Sequence, residues 1–150
     1  MPQSLHVLGT HIIFSTKHRR PDLTESLRPR VWAYMAGILT KLECHDITVG
    51  GIEDHIHILC NLTKKHAPIK VLEVVKKESS KWIKLQANGS RSFHWQDGYG
   101  LFGVSPSHVE AVRQYILNQE EHHKKISFKE EFLRILKKYR VTYDERYLWE

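Results

Sequence analysis

The chain has 150 residues, 41% of them hydrophobic and 27% charged, the make-up of one soluble domain able to bury a core without disulfide or metal staples. Twenty-three Lys and Arg against 17 Asp and Glu leave a net charge of +6, a balance suited to polyanionic partners. Residues 1–16 carry histidines where a signal peptide needs an apolar run, nothing approaches the roughly 20 apolar residues that cross a bilayer, and the two cysteines, Cys44 and Cys60, lack metal or redox spacing, so the chain reads as a single cytoplasmic domain over 1–150 with core thiols.

Leu5 to Phe14 is rich in β-branched and apolar residues and predicts a buried strand, closed by the basic loop Ser15 to Pro21. A helix follows, capped by Thr24, with Leu27, Val31, Tyr34, Ile38 and Leu42 at helical spacing. Asp46 to Glu53 and His55 to Leu62 predict two antiparallel strands joined near Glu53 and Asp54, with Gly50 and Gly51 allowing a bulge or bend. Ala67 to Gln86 is an amphipathic helix, apolar at Val71, Val75, Trp82 and Leu85 and basic at Lys70, Lys77, Lys81 and Lys84. Phe93 to Gln96 and Leu101 to Val104 flank Asp97-Gly98-Tyr99-Gly100 as a short hairpin would. Ser107 and Glu110 have capping-box spacing for a helix running toward Lys124, and a last helix covers Phe128 to Tyr139 before an aromatic tail expected to dock. The order of elements predicts an α+β fold: a ferredoxin-like antiparallel sheet with helices on one face, plus a C-terminal helix carrying Tyr115.

Two groups of residues could carry chemistry. In His55-Ile56-His57, alternation along a strand projects both imidazoles from one face and Ile56 from the other, which is bidentate-ligand geometry; two polar residues on an exposed strand face would give the same spacing. Tyr115 and Gln119 lie four apart on one helix face, as a reactive pair or as ordinary half-buried packing and surface amide. Glu53 shares strand parity with the histidines and rivals Gln119 as a third ligand. His122 sits two turns from Tyr115, about 10 Å along an ideal axis and too far for proton transfer, so His122 and His123 are expected to face solvent.

The whole pattern resembles the small single-tyrosine HUH transposases of bacterial insertion sequences, with REP-associated tyrosine transposases as more distant relatives. His55-Ile56-His57 matches their His-hydrophobic-His signature, and Tyr115 to His123 (YILNQEEHH) matches their catalytic helix. The similarity extends to Thr10 through Lys17 and to Tyr143 through Trp149. The resemblance implies a single-stranded DNA nuclease and strand transferase in which Tyr115 attacks the scissile phosphate to give a 5′-phosphotyrosine. It implies a divalent metal, Mg²⁺ or Mn²⁺, on His55, His57 and Gln119, with Zn²⁺ also compatible with that donor set. The implied partners are single-stranded DNA with hairpins at element ends and a second copy of the chain, in a homodimer whose composite sites pair one chain's tyrosine with the other's histidines.

Lys17, Arg19 and Arg20, with the helical lysines Lys70, Lys77, Lys81 and Lys84, are the expected phosphate contacts; solvated surface charge is the alternative for each. A phenol of pKa near 10 costs about 4 kcal/mol to ionise at pH 7, so the site must lower that cost, through the metal and nearby lysines on this reading. A domesticated DNA-hairpin binder that has lost the reaction is the alternative function.

Overall fold

The computed structural model describes residues 2–150; Met1, where the N-terminal reading begins, lies outside them. Four strands, β1 (Gly9–Ser15), β2 (His45–Gly51), β3 (His55–Asn61) and β4 (Gly100–Gly103), form an antiparallel sheet in the order β2-β3-β1-β4. With α1 (Arg28–Lys41) after β1 and α2 (Pro68–Leu85) after β3, this is the ferredoxin-like arrangement that the sequence predicts. The central strands β1 and β3 are covered on both sides, which is why they read as near-continuous apolar runs. Among the described residues no helix is long and apolar enough to cross a membrane.

Strand alternation divides the molecule into two layers. Ile12, Phe14, Ile56, Ile58 and Cys60 face α1 and α2, where they pack with Leu27, Val31, Met35, Leu39, Val71, Leu72, Val75 and Ile83. Cys44 and Cys60 are both buried free thiols, as expected. The opposite face carries His11, Ile13, His55, His57 and Leu59, since the register sets His11 against Leu59 and Ile13 against His57. Over it lie α3 (Val109–Leu117), the short α4 (Gln119–His122) and α5 (Phe128–Lys138). Phe128, Phe132 and Leu136 of α5 bury against Ile13 and Phe102, while Ile116 of α3 buries against Leu59 and Val104. Each such full burial is worth about 1.5–3 kcal/mol, enough to hold the second layer down.

Several local readings shift. Phe93 to Gln96 does not pair with β4; β4 pairs with β1, and Gln96 instead bonds Ser15 through backbone and side chain. Phe93 and Trp95 turn under the sheet to stack edge-on near Phe14, with Trp95 Nε1 donating to Ser79 Oγ at 2.9 Å, so burial of two large aromatics overrides a four-residue hairpin. Thr24 does not cap α1, which starts at Arg28 after a turn. Leu85 is 83% exposed, because the buried face of α2 runs through Val71, Leu72, Val75, Ser79 and Ile83. Pro106 starts a 3-10 turn in which Ser107 bonds Ser105 and His108 rather than closing a capping box. The helix expected to continue toward Lys124 breaks at Asn118, between α3 and α4. The tail docks as expected: Trp149 packs on Phe128 and Phe132, and the Glu150 carbonyl accepts from Gly98 N at 2.9 Å.

The bulge in β2 falls between His45 and Thr48, not at the glycine pair. Gly51 serves the turn into β3, with φ at +153° and no room for a Cβ beside the His55 carbonyl. Gly50 lets α3 approach β2: a Cβ there would meet Ile116 Cγ2 and the Ile116 carbonyl, each at 2.9 Å. Gly50→Ala is therefore expected to displace the helix carrying Tyr115 and to destabilise the chain by about 1–3 kcal/mol; denaturant melts measure this, and wild-type stability would contradict it.

Candidate active site

His55 and His57 project from β3 into the space between the sheet and the outer helices, both fully buried, with Ile56 in the opposite core. Helix α3 brings Tyr115 over them, and the break at Asn118 turns the chain so that Gln119 and His123 point into the same space. Helix α5 supplies Glu131, a carboxylate only 1% exposed. Its Oε1 lies 3.3 Å from His55 Nε2, 3.1 Å from His57 Nε2 and 3.1 Å from His123 Nε2. Its other oxygen, Oε2, accepts from the Tyr115 hydroxyl and from Gln119 Nε2 at 3.2 Å, and stands 3.3 Å from His122 Nε2. Gln119 Oε1 is 3.0 Å from His55 Nε2 and 2.9 Å from His123 Nε2.

The second nitrogen of each imidazole is also held. His55 Nδ1 meets Asp54 Oδ1 at 2.7 Å, His57 Nδ1 meets His11 Nε2 at 2.8 Å, and His123 Nδ1 donates to the Ile126 carbonyl at 2.9 Å. This is the support that metal-ligating histidines ordinarily have, fixing each ring with Nε2 inward. The donor atoms of His55, His57, His123 and Glu131 lie within 4.8 Å of one another. Three imidazole nitrogens, a carboxylate oxygen and the Gln119 amide oxygen thus converge on one buried point, a mixed nitrogen and oxygen donor set. The residues fit a divalent metal of borderline type.

Burial and charge compete strongly here. Burial by itself would depress His55, but Asp54 and Glu131 on either side hold it up, at about 9. His57, with no second carboxylate, is lowered by burial despite Glu131, and His11 is lowered to about 3 by burial and by His57. Burial would raise Glu131, yet the bonds from His123, His55 and His57 hold it well below the usual carboxylate range. Burial, then the Glu131 charge, push the Tyr115 phenol above its ordinary value.

This constellation can be set beside known proteins. The family described as "Transposase IS200 like" matches residues 4–119, most of the chain. The chain belongs to the IS200-like transposase family. Among solved structures, a putative transposase from Deinococcus radiodurans is 21% identical with a TM-score of 0.59, over 79% of this chain and 98% of that one. A REP-associated tyrosine transposase bound to a REP hairpin is 12% identical with a TM-score of 0.60, over 84% of this chain and 74% of that one. At these identities the two share the fold. Curated protein sequences give no match.

The IS200-like chain thus brings together all four residues singled out in its sequence, His55, His57, Tyr115 and Gln119, and adds three that were not: Glu131, His123 and His11. The expectation that His122 and His123 face solvent is corrected. The His123 side chain is 4% exposed, and His122 Nε2 reaches the Tyr115 hydroxyl at 3.2 Å. The helix breaks at Asn118, and the side chains of Tyr115 and His122 reach toward each other across that break. Glu53 points away from the site, 46% exposed and 3.9 Å from Arg28.

The basic residues expected to contact phosphate sit elsewhere in this transposase. Lys70, Lys77, Lys81 and Lys84 ride on α2, across the sheet from Tyr115; Lys70 and Lys81 lie near Glu73 and Glu78. Lys17 and Arg20 are exposed at the end of β1, whereas Arg19 ties down the tail, donating to the Trp149 carbonyl at 3.2 Å.

Proposed function

We propose that this transposase cleaves and rejoins single-stranded DNA at the ends of a mobile element through a 5′-phosphotyrosine on Tyr115, with Mg²⁺ or Mn²⁺ held by His55, His57 and Gln119 together with His123 and Glu131. The observation that carries the reading is the convergence of the Tyr115 hydroxyl and five metal-type donors on one buried point. A divalent cation bound there supplies charge to the non-bridging phosphate oxygens and offsets the Glu131 charge that keeps the phenol protonated.

The chain's own residues do the rest. Tyr115 Oη attacks phosphorus; the bond to the 3′ oxygen breaks, and that oxygen leaves as a 3′-hydroxyl after taking a proton. The phenol proton has two acceptors in place, Glu131 Oε2 and His122 Nε2, the latter kept toward its neutral form chiefly by burial. The phosphotyrosine conserves the diester's energy, so a new 3′-hydroxyl can reverse the step and join another strand without a nucleotide cofactor. The REP hairpin bound by the structurally similar transposase supports hairpin DNA as the partner. Lys17, Arg20 and the exposed lysines of α2, across the sheet, would then meet hairpin backbone rather than the scissile phosphate. The cytoplasm is the compartment where such DNA is met.

Tyr115 lies against its own chain's histidines, which supports a site complete in each chain; a homodimer would hold two such sites rather than composite ones. Incubation with labelled single-stranded element ends and Mn²⁺ is expected to give a covalent adduct stable to denaturation, and failure on every end tested would overturn the reading. Mixing Tyr115→Phe chains with His57→Ala chains is expected to leave the adduct absent. Restoration by mixing would show composite sites instead.

Without a cation His55 carries its proton at neutral pH and must release it to coordinate a metal, whereas His57 is already held neutral. Mn²⁺ binding at pH 7 is therefore expected to release a proton, and affinity to rise about tenfold per pH unit until pH reaches the His55 value. Calorimetry in buffers of different ionisation heat measures the release; heats independent of buffer would contradict it.

A further inference from the structure

Between α3 and α5, beyond the Tyr115 hydroxyl, lies a cleft of about 670 Å³ that the reaction described above leaves unused. Such a volume falls in the roughly 300–1,000 Å³ range of sites for small organic groups. Its walls are mostly apolar, but two cations stand at its rim: Arg134 and Lys138, one turn apart on α5, with the imidazoles of His108 and His122 also lining the cleft. Both Arg134 and Lys138 are exposed, and among the described residues neither is paired with a carboxylate, unlike Arg113, Lys124 and Arg146. Arg134 and Tyr115 line the same cleft, so this cation shares it with the nucleophile.

Tyr139 closes the far end. One face of its ring is stacked on Phe102 at 4.8 Å, its hydroxyl is fixed on the Gly103 carbonyl at 3.2 Å, and the side chain remains 39% exposed. A ring held in this way offers a ready platform for a flat partner. Unpaired cations at the rim, an apolar interior, an aromatic platform and a nucleophile at one end are the features of a nucleotide subsite on a single strand.

We infer that this cleft holds the nucleotide next to the scissile phosphate, with Arg134 and Lys138 on its backbone and Tyr139 against its base. The inference rests on the proposed strand-transfer reading and names where the substrate lies. It assigns α5 two tasks, since one stripe of the helix runs from the buried Glu131 to the exposed Arg134 and Lys138 at the cleft. Arg134 is three residues from Glu131 and Lys138 four residues further on, so the helix couples the subsite to the reacting atoms without a flexible joint.

The probe is dT12, a hairpin-free strand, and Tyr115→Phe protein in Mn²⁺ buffer keeps the measurement to binding. Removing both cations (Arg134→Ala with Lys138→Ala) is expected to weaken dT12 binding about tenfold or more and to flatten its salt dependence by a slope of about 1.4, two phosphate contacts' worth. Exchanging them (Arg134→Lys with Lys138→Arg) should restore most of both, and Lys41→Ala, on the far side of the sheet, should change neither. With one 5-iodouracil per strand, photocrosslinks should map to the peptide holding Tyr139. Unchanged affinity and slope in the double alanine variant, crosslinks confined to other elements, or no binding of dT12 would overturn the subsite. A wild-type chain that forms no adduct yet crosslinks at Tyr139 would sink the catalytic reading and leave the subsite standing; a normal adduct with crosslinks elsewhere would do the reverse.

Discussion

Glu131→Gln is expected to lower Mn²⁺ affinity by about a hundredfold or more and to destabilise the metal-free chain by about 3–5 kcal/mol. The side chain keeps its shape but loses the charge on which the site is organised. Three imidazoles gather on Oε1, while Tyr115, Gln119 and His122 gather on Oε2. An amide nitrogen on either side would face donors, and His55 would keep only Asp54 to support its proton in a buried place. For a chain of this size, with roughly 5–15 kcal/mol of total stability, such a loss is large. There is a linked pH effect. Folded Glu131 is held below the usual carboxylate range, so its contribution is present above that range and is lost as acid protonates the unfolded chain first. The variant should show less acid sensitivity than the wild type. Calorimetry for Mn²⁺ and denaturant melts at several pH values measure these effects, and wild-type affinity with wild-type melts would remove Glu131 from the account.

Glu131 is also the clearest case of a residue that could have been read from the sequence. On α5 the apolar positions Phe128, Phe132, Ile135 and Leu136 outline one face, and Glu131 lies within it. A carboxylate in the middle of a hydrophobic face is buried only with partners, and that anomaly marks a site. His123 repeats the spacing of four that links Tyr115 to Gln119, so it too was visible as a continuation of the same stripe. The ferredoxin-like order was legible because each strand carries its own periodicity and each helix its own face. What lay beyond reach depended on tertiary competition. No local signal says that Phe93 and Trp95 prefer the core beneath Phe14 to a hairpin, or that Asn118 breaks the helix just where His122 and His123 must turn inward. His11 falls inside the matching segment Thr10 to Lys17, but its bond to His57 follows from pairing register between strands far apart in the chain.

Tyr115→Phe is expected to abolish the covalent adduct, a loss of about a thousandfold or more, while leaving the fold and Mn²⁺ binding in place. The ring would keep its edge-on contacts with His11, His57 and His122. Glu131 Oε2 would still accept from Gln119 Nε2 at 3.2 Å, so stability should change by only about 1 kcal/mol. An isolated phenol already costs about 4 kcal/mol to ionise at pH 7, and here burial and the neighbouring carboxylate raise that cost. The ion-free arrangement therefore holds Tyr115 as a hydrogen-bond donor, poised but unreactive, and reactivity requires that the Glu131 charge be offset. On this account the adduct depends jointly on the hydroxyl and on added divalent metal: wild-type chain in chelator and the Phe variant in Mn²⁺ should both show none. Gel mobility of labelled DNA after denaturation, with mass spectrometry of the attached peptide, measures both. An adduct undiminished in the variant would place the nucleophile on another side chain, with Tyr143 and Tyr147, exposed on the docked tail, the first to examine.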